Sequence, residues 1–191
     1  MFCKFVVMGS SLGGLSALQT VLAQLPANFI LPIAIVLHRH KNSDFTLQRL
    51  LQEKSLLPIH EVEDKDEIVS GNVYLAPPDY HLLIEPGYFA LSTDEPVSYA
   101  RPSIDVLFES AADIYAEQVI GVILTGANQD GIAGLKRVKA RGGMTIVQEP
   151  ATAESEIMPK AAISAVEVDE ILPLRDIGHL LVTLCQGKSF P

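Results

Sequence analysis

Apolar and polar positions follow two rhythms along this chain. Short continuous runs of β-branched and aliphatic residues, Phe5–Met8, Ile33–Leu37, Val119–Leu124 and Met144–Gln148, read as buried strands. Between them, apolar residues recur at three- and four-residue spacing, which predicts amphipathic helices. Leu15–Leu25 carries Leu15, Leu18, Val21, Leu22 and Leu25 on one face, and Pro26 and Asn28 close it. Asp44–Leu51 places Phe45, Leu47, Leu50 and Leu51 in the same way. Ser103–Tyr115 opens on a candidate N-cap serine, with Val106, Leu107 and Ala111 on one face. Gly131–Ala140 is helical until Gly142-Gly143 stops it. Pro159–Ala165 and Asp176–Leu184 read as helices, with the short strand Glu170–Leu172 between them.

The middle of the chain has a different texture. Ile59–Val62, Asn72–Ala76, His81–Glu85 and Tyr88–Ser92 are short strand candidates punctuated by Gly, Pro and Asp, and Pro86-Gly87 reads as a hairpin turn. This stretch is expected to form an antiparallel ribbon or sheet edge. Elsewhere, strands and helices alternate and the strands are apolar throughout. That order predicts an α/β fold, a doubly wound, mostly parallel sheet with helices on both faces.

Composition narrows the picture. The 191 residues fit one domain, so residues 1–191 are read as a single unit. A hydrophobic fraction of 48% against 19% charged suits a packed globule and excludes a disordered chain. Trp is absent and aromatics are few, so Val, Ile, Leu and Ala must fill the core. A formal net charge of -9 repels phosphate backbones and argues against nucleic-acid binding. Cys3 and Cys185 are too far apart in sequence for a disulfide framework and lie in no metal-ligand spacing. The opening MFCKFVVMGSS lacks the apolar core of a signal peptide, and no stretch approaches the ~20 apolar residues that span a bilayer. The cytoplasm is the expected compartment.

Ligands of a parallel α/β sheet sit beyond the carboxyl ends of its strands. Three segments follow strand ends here: Gly9-Ser10-Ser11-Leu12-Gly13-Gly14, His38-Arg39-His40, and Thr125-Gly126-Ala127-Asn128-Gln129-Asp130-Gly131. They bring a serine, a histidine and an aspartate to one edge. A serine hydroxyl needs a neutral imidazole to take its proton, and the imidazole needs a carboxylate to fix its tautomer. Gly9–Gly13 matches G-x-S-x-G, which sets Ser11 on a sharp strand-to-helix turn. The unpaired N–H groups of the following helix can stabilise an oxyanion. The same loop also suits an anion-binding turn around a phosphate. Against a dinucleotide site, Ser11 stands where G-x-G-x-x-G requires its second glycine.

The segments GSSLGG, IVLHRH, GNVYLAPPDYHLLIE, RPSIDVLFESAA, GVILTGANQDGIAGL and GGMTIVQEPATAESEIMPKAAI, in this order, resemble the catalytic domain of the chemotaxis protein-glutamate methylesterases, the CheB family. The resemblance runs from the first strand to about Ile171. It implies a catalytic triad of Ser11 as nucleophile, His38 as general base and Asp130 as orienting acid, with no metal or cofactor. The implied reaction hydrolyses γ-glutamyl methyl esters on methylated chemoreceptor cytoplasmic helices, giving glutamate and methanol, and deamidation of receptor glutamines is a related activity. Regulated members carry an N-terminal receiver domain. This chain begins at its first catalytic strand and reads either as a stand-alone paralogue or as a catalytic unit cut from a longer protein, so control by phosphorylation in cis is not claimed for it.

The chain departs from the family pattern in places. The acid loop usually reads close to TGMGxDG, and Ala127 and Asn128 replace its Met and second Gly. Asn tolerates left-handed backbone, which would preserve the turn. Arg39-His40 stands where Met-Pro usually follows the histidine, and Glu154 and Glu156 replace apolar residues. Oxyanion donors are expected near Leu12 and Ala127. Ser10 and His40 are alternative nucleophile and base. His81 reads as a rim residue, and His60 and His179 as peripheral. Asp130 reads alternatively as the N-cap of Gly131–Ala140, and Arg101 as a substrate clamp or a surface residue at a helix start. Two other functions compete: a small-ester α/β-hydrolase, whose Ser–acid–His order would need His179 as base, and a non-catalytic binding module built on the Gly-rich loop.

Overall fold

A computed structural model describes residues 3–38 and 46–186. The strands are β1 (Phe5–Ser10), β2 (Ile33–Leu37), β3 (Ile59–Glu61), β4 (Val73–Leu75), β5 (His81–Glu85), β6 (Tyr88–Ser92), β7 (Val119–Ile123), β8 (Met144–Gln148) and β9 (Glu170–Leu172). The helices are α1 (Gly14–Leu22), α2 (Thr46–Gln52), α3 (Ile104–Tyr115), α4 (Ile132–Ala140), α5 (Ile157–Ala165) and α6 (Leu174–Cys185). Asp44 and Phe45, in the helix predicted from Asp44, lie outside the described residues.

Seven strands form one sheet in the order β3-β4-β2-β1-β7-β8-β9, and every pairing in it is parallel. Successive side chains of a strand point to opposite faces, and the core divides accordingly. Val6 and Met8 of β1, Ile33 and Ile35 of β2 and Ile120 and Val122 of β7 pack with Leu18 and Val21 of α1 and Leu180 and Leu181 of α6. Phe5 and Val7, Ala34 and Val36, and Val119 and Ile123 pack on the other face with Leu107 and Phe108 of α3 and Leu135 of α4. Both faces are covered, which is why these strands read as continuous apolar runs.

The middle segment supplies both a sheet edge and an antiparallel ribbon, the two forms expected of it. β3 and β4 extend the main sheet, with Ile59 opposite Val73 and Ile33 also opposite Val73. Among the strands of the described residues, β5 and β6 alone pair antiparallel, and Glu85 opposite Tyr88 leaves Pro86-Gly87 as the two-residue turn. Gly87 has φ 88, the left-handed conformation that such a turn takes from glycine. This hairpin packs Leu82, Ile84 and Phe89 into the second core.

Helices α3 and α4 touch closely because Gly134 has no side chain. A Cβ there would lie 2.5 Å from Phe108 Cβ and 3.0 Å from the Asp105 backbone. The space that glycine leaves lets its N–H donate to the buried Asp105 carboxylate at 2.8 Å.

Candidate active site

The connections of β1 and β7 leave in opposite directions across the sheet, so the crevice between their carboxyl ends is a topological switch point. Backbone hydrogen bonds carry the ladder past the strand ends and pin the loops together. Ser11 N–H donates to Thr125 O at 3.0 Å, and His38 N–H donates to Ser10 O at 3.0 Å. The three loops singled out in the sequence therefore meet at one place.

The imidazole of His38 faces Asp130, with Nε2 2.7 Å from Oδ2. A carboxylate accepts only, so Nε2 carries the hydrogen and Nδ1 carries the lone pair. Asp130 itself is fully buried. Its Oδ1 also accepts from Ser103 Oγ at 2.7 Å and Asp105 N–H at 3.2 Å, and its Oδ2 from Ile104 N–H at 2.6 Å. Burial alone would push this carboxyl up. The hydrogen bonds from His38, the Ile104 N–H and Ser103 outweigh it and hold the carboxyl below its ordinary value. Asp130 is thus kept ionised where a cation on His38 would need it.

Asp130 does cap a helix, but not the one anticipated. Gly131, at φ 97, is the N-cap residue of α4. The Asp130 oxygens instead satisfy the first N–H groups of α3, across the loop boundary. Ser103 holds the N-cap position of α3 with extended backbone, yet its hydroxyl makes no cap bond and goes to Asp130.

Ser11 is half-buried and lines two clefts that meet at His38. One, about 620 Å³, runs along Leu12–Ser16 and Leu37 to Glu154. The other, about 430 Å³, is bounded by Ser98–Pro102 and Asn128. Among the described residues no hydrogen bond joins the Ser11 hydroxyl to His38, so the single hydrogen-bonded row expected of Ser11, His38 and Asp130 is complete only between the last two. Nor does any protein group among the described residues take the N–H of Leu12, Gly13 or Ala127. Gly13 turns the chain at φ 78 into α1, and a Cβ there would lie 2.7 Å from Glu154 Oε2, so the glutamate lies directly over the turn.

Other sequence candidates sort clearly. The Ser10 hydroxyl is fully buried and has no hydrogen-bond partner among the described residues, so it cannot meet a substrate from solvent. His40 lies outside the described residues. His60 is exposed and pairs with Asn72 Oδ1, and His179 is exposed on α6 and lines neither cleft. Arg101 is engaged by the protein itself, donating to Asp79 Oδ1 at 2.8 Å and to the carbonyls of Thr93 and Asp94.

Two residues were misjudged from sequence. His81 is not a rim residue. It is 2% exposed, its Nδ1 accepts the Ser103 N–H at 3.2 Å and its Nε2 meets the Glu95 carbonyl at 3.1 Å. It therefore fixes the backbone of Ser103, the residue that holds Asp130. Asn128 is not in the left-handed region, which here holds Lys65, Asp79, Ser98, Tyr99 and Ala116 among non-glycine residues. Its side chain reaches the ring instead, with Nδ2 2.8 Å from His38 Nδ1, while its Oδ1 accepts the Asp130 N–H at 3.2 Å. No local pattern announces a partner 90 positions away.

Comparison with known proteins identifies the family and the fold. The family described as CheB methylesterase matches residues 6–181. A putative protein-glutamate methylesterase/protein-glutamine glutaminase of Leptospira interrogans serovar copenhageni is 50% identical over 184 residues, 96% of this chain and 95% of that protein. The protein-glutamate methylesterase/protein-glutamine glutaminase of Thermotoga maritima is 36% identical over 185 residues, and the match takes in 95% of this chain but only 54% of that protein. The crystal structure of the Thermotoga maritima CheB methylesterase catalytic domain superposes with a TM-score of 0.92 at 36% identity, over 96% of this chain and 100% of that one. With the family match spanning nearly the whole described sheet, the chain belongs to the CheB methylesterase family.

Proposed function

We propose that this protein hydrolyses γ-glutamyl methyl esters on the cytoplasmic helices of methylated chemoreceptors, with Ser11 as nucleophile, His38 as general base and Asp130 as the orienting acid. The observation that carries the reading is the ionised, fully buried Asp130 hydrogen-bonded to His38 Nε2 in a cleft that Ser11 lines.

With Nε2 committed to Asp130, Nδ1 is the nitrogen that takes the Ser11 proton. The Ser11 oxygen attacks the ester carbonyl, and the oxyanion forms beside the free N–H groups of Leu12, Gly13 and Ala127. His38 returns the proton to the departing methoxide, and methanol leaves. Water, deprotonated by the same ring, attacks the acyl-serine and releases glutamate. With a glutamine amide in place of the ester, the same steps expel ammonia, which accounts for deamidation as a second activity. Glu154 over the Ser11 turn admits a neutral ester more readily than an anionic carboxylate, so it favours release of the product. Tyr99, fully exposed at the cleft rim on left-handed backbone, and the half-exposed Leu12 offer apolar contact to the helix that bears the ester.

The test is methanol release from a methylated receptor cytoplasmic fragment. Wild-type protein should release methanol, and Ser11→Ala should lower the rate by at least about 10³-fold while folding normally. Undiminished release by Ser11→Ala removes the nucleophile assignment.

A further inference from the structure

Asn128 and Ser11 compete for one lone pair. The His38 ring donates from Nε2 to Asp130 at 2.7 Å, so its only acceptor is Nδ1. The Asn128 amide sits 2.8 Å from that nitrogen. The orientation of the amide follows from its other contact. Oδ1 accepts the Asp130 N–H at 3.2 Å, and turning the amide over would set two N–H groups against each other there. The group facing Nδ1 is therefore the NH₂, a donor, and it fills the position that the Ser11 hydroxyl needs. This accounts for a serine that lines the cleft with His38 and yet makes no hydrogen bond to it.

The arrangement fails once the ring takes a proton. Nδ1–H would then face the Asn128 N–H, donor against donor, so the amide must leave before or during attack. Asn128 lines the cleft together with Ser11 and Tyr99, where an incoming ester carbonyl supplies an alternative acceptor for the same N–H.

We propose that Asn128 gates the general base: in the substrate-free site its amide occupies the Nδ1 lone pair of His38, and it yields that lone pair to Ser11 when a substrate carbonyl enters. Asn128 is on this account a positioning residue that acts through His38. The proposal rests on the hydrolase reading above.

The test follows phosphonylation of Ser11 by a fluorophosphonate probe in the wild type, Asn128→Ala and Asn128→Gly, with peptide mapping of the modified residue. The ¹⁵N resonances of the His38 ring, assigned by their loss in His38→Gln, are recorded alongside in the substrate-free proteins. Both Asn128 variants should label roughly 3- to 10-fold faster, the worth of one neutral hydrogen bond. Their Nδ1 resonance should move toward that of a bare ring nitrogen while Nε2 stays protonated, a change that a merely structural role for Asn128 would not produce. Equal or slower labelling in the variants, or an unmoved Nδ1 resonance, overturns the gate and leaves the hydrolase reading standing. Failure of Ser11 to label in all three proteins overturns the hydrolase reading and the gate with it.

Discussion

The Asp130 carboxylate takes hydrogen bonds from a ring, a hydroxyl and two backbone N–H groups, drawn from β2's end and the start of α3. Such a group is costly to bury and costly to disturb. Ser103→Ala removes the shortest bond to Oδ1, 2.7 Å, and leaves only the longer one from Asp105 N–H. A hydrogen bond to a charged group is worth about 1.5–3 kcal/mol, and the variant should lose that much stability at neutral pH. The sign of the pH dependence follows from Asp130. Its carboxyl is held low in the folded protein, so its contribution is complete above the ordinary carboxylate range and is lost as pH falls through the depressed folded-state value. Denaturant unfolding of the two proteins should therefore differ most at neutral pH and converge in strong acid. A deficit that persists unchanged in acid would mean that Ser103 acts through packing instead. The meeting of the loops that carry Ser11, His38 and Asp130 was legible because each follows a continuous apolar strand. Ser103, His81 and Asn128 were not legible in these roles, because their partners lie 22 to 90 positions away and no short pattern records such distances.

At the scale of elements, the junction of α3 and α4 carries a second buried carboxylate. Burial first, then the neighbouring charges of Asp130 and Glu109, push Asp105 up to about 6, against the opposing hydrogen bond from the Gly134 N–H. An acid raised in the folded state costs stability once it ionises. Folding is then favoured below the folded value and penalised as pH rises from the unfolded range through about 6. Asp105→Asn keeps an acceptor for Gly134 N–H and removes the charge. It should raise the melting temperature above the titration and leave it nearly unchanged in acid; a lower melting temperature at alkaline pH would contradict the argument. The elements themselves were largely readable from periodicity, with ends displaced by a few residues. For β3 and β4 the pattern left a ribbon and a sheet edge open, and the edge is what forms. Short runs bounded by Gly, Pro and Asp look like hairpin strands, and a three-residue strand carries too little pattern to distinguish a parallel edge from an antiparallel ribbon. The true hairpin was marked by Pro86-Gly87, whose turn chemistry is local.

For the whole molecule, the decisive feature is that one sheet edge gathers the ends of β1, β2 and β7 and ties them by backbone hydrogen bonds before any side chain is placed. Side chains mounted on such a frame hold their geometry better than side chains on free loops. Two clefts open from Ser11, one along the start of α1 and one under the Ser98–Pro102 loop, so an extended or helical substrate can lie across the site with its ester-bearing side chain descending between them. Among the described residues no helix is long and apolar enough to cross a membrane. The central claim is that a receptor glutamyl group passes through a covalent bond to the hydroxyl of Ser11. Rapid-quench mass spectrometry of the protein turning over a methylated receptor fragment tests it most directly. The account predicts an acyl adduct on the peptide containing Ser11, formed with the first equivalent of methanol and absent from Ser11→Ala. Steady methanol release with no adduct on that peptide, or with the adduct on another residue, would contradict it.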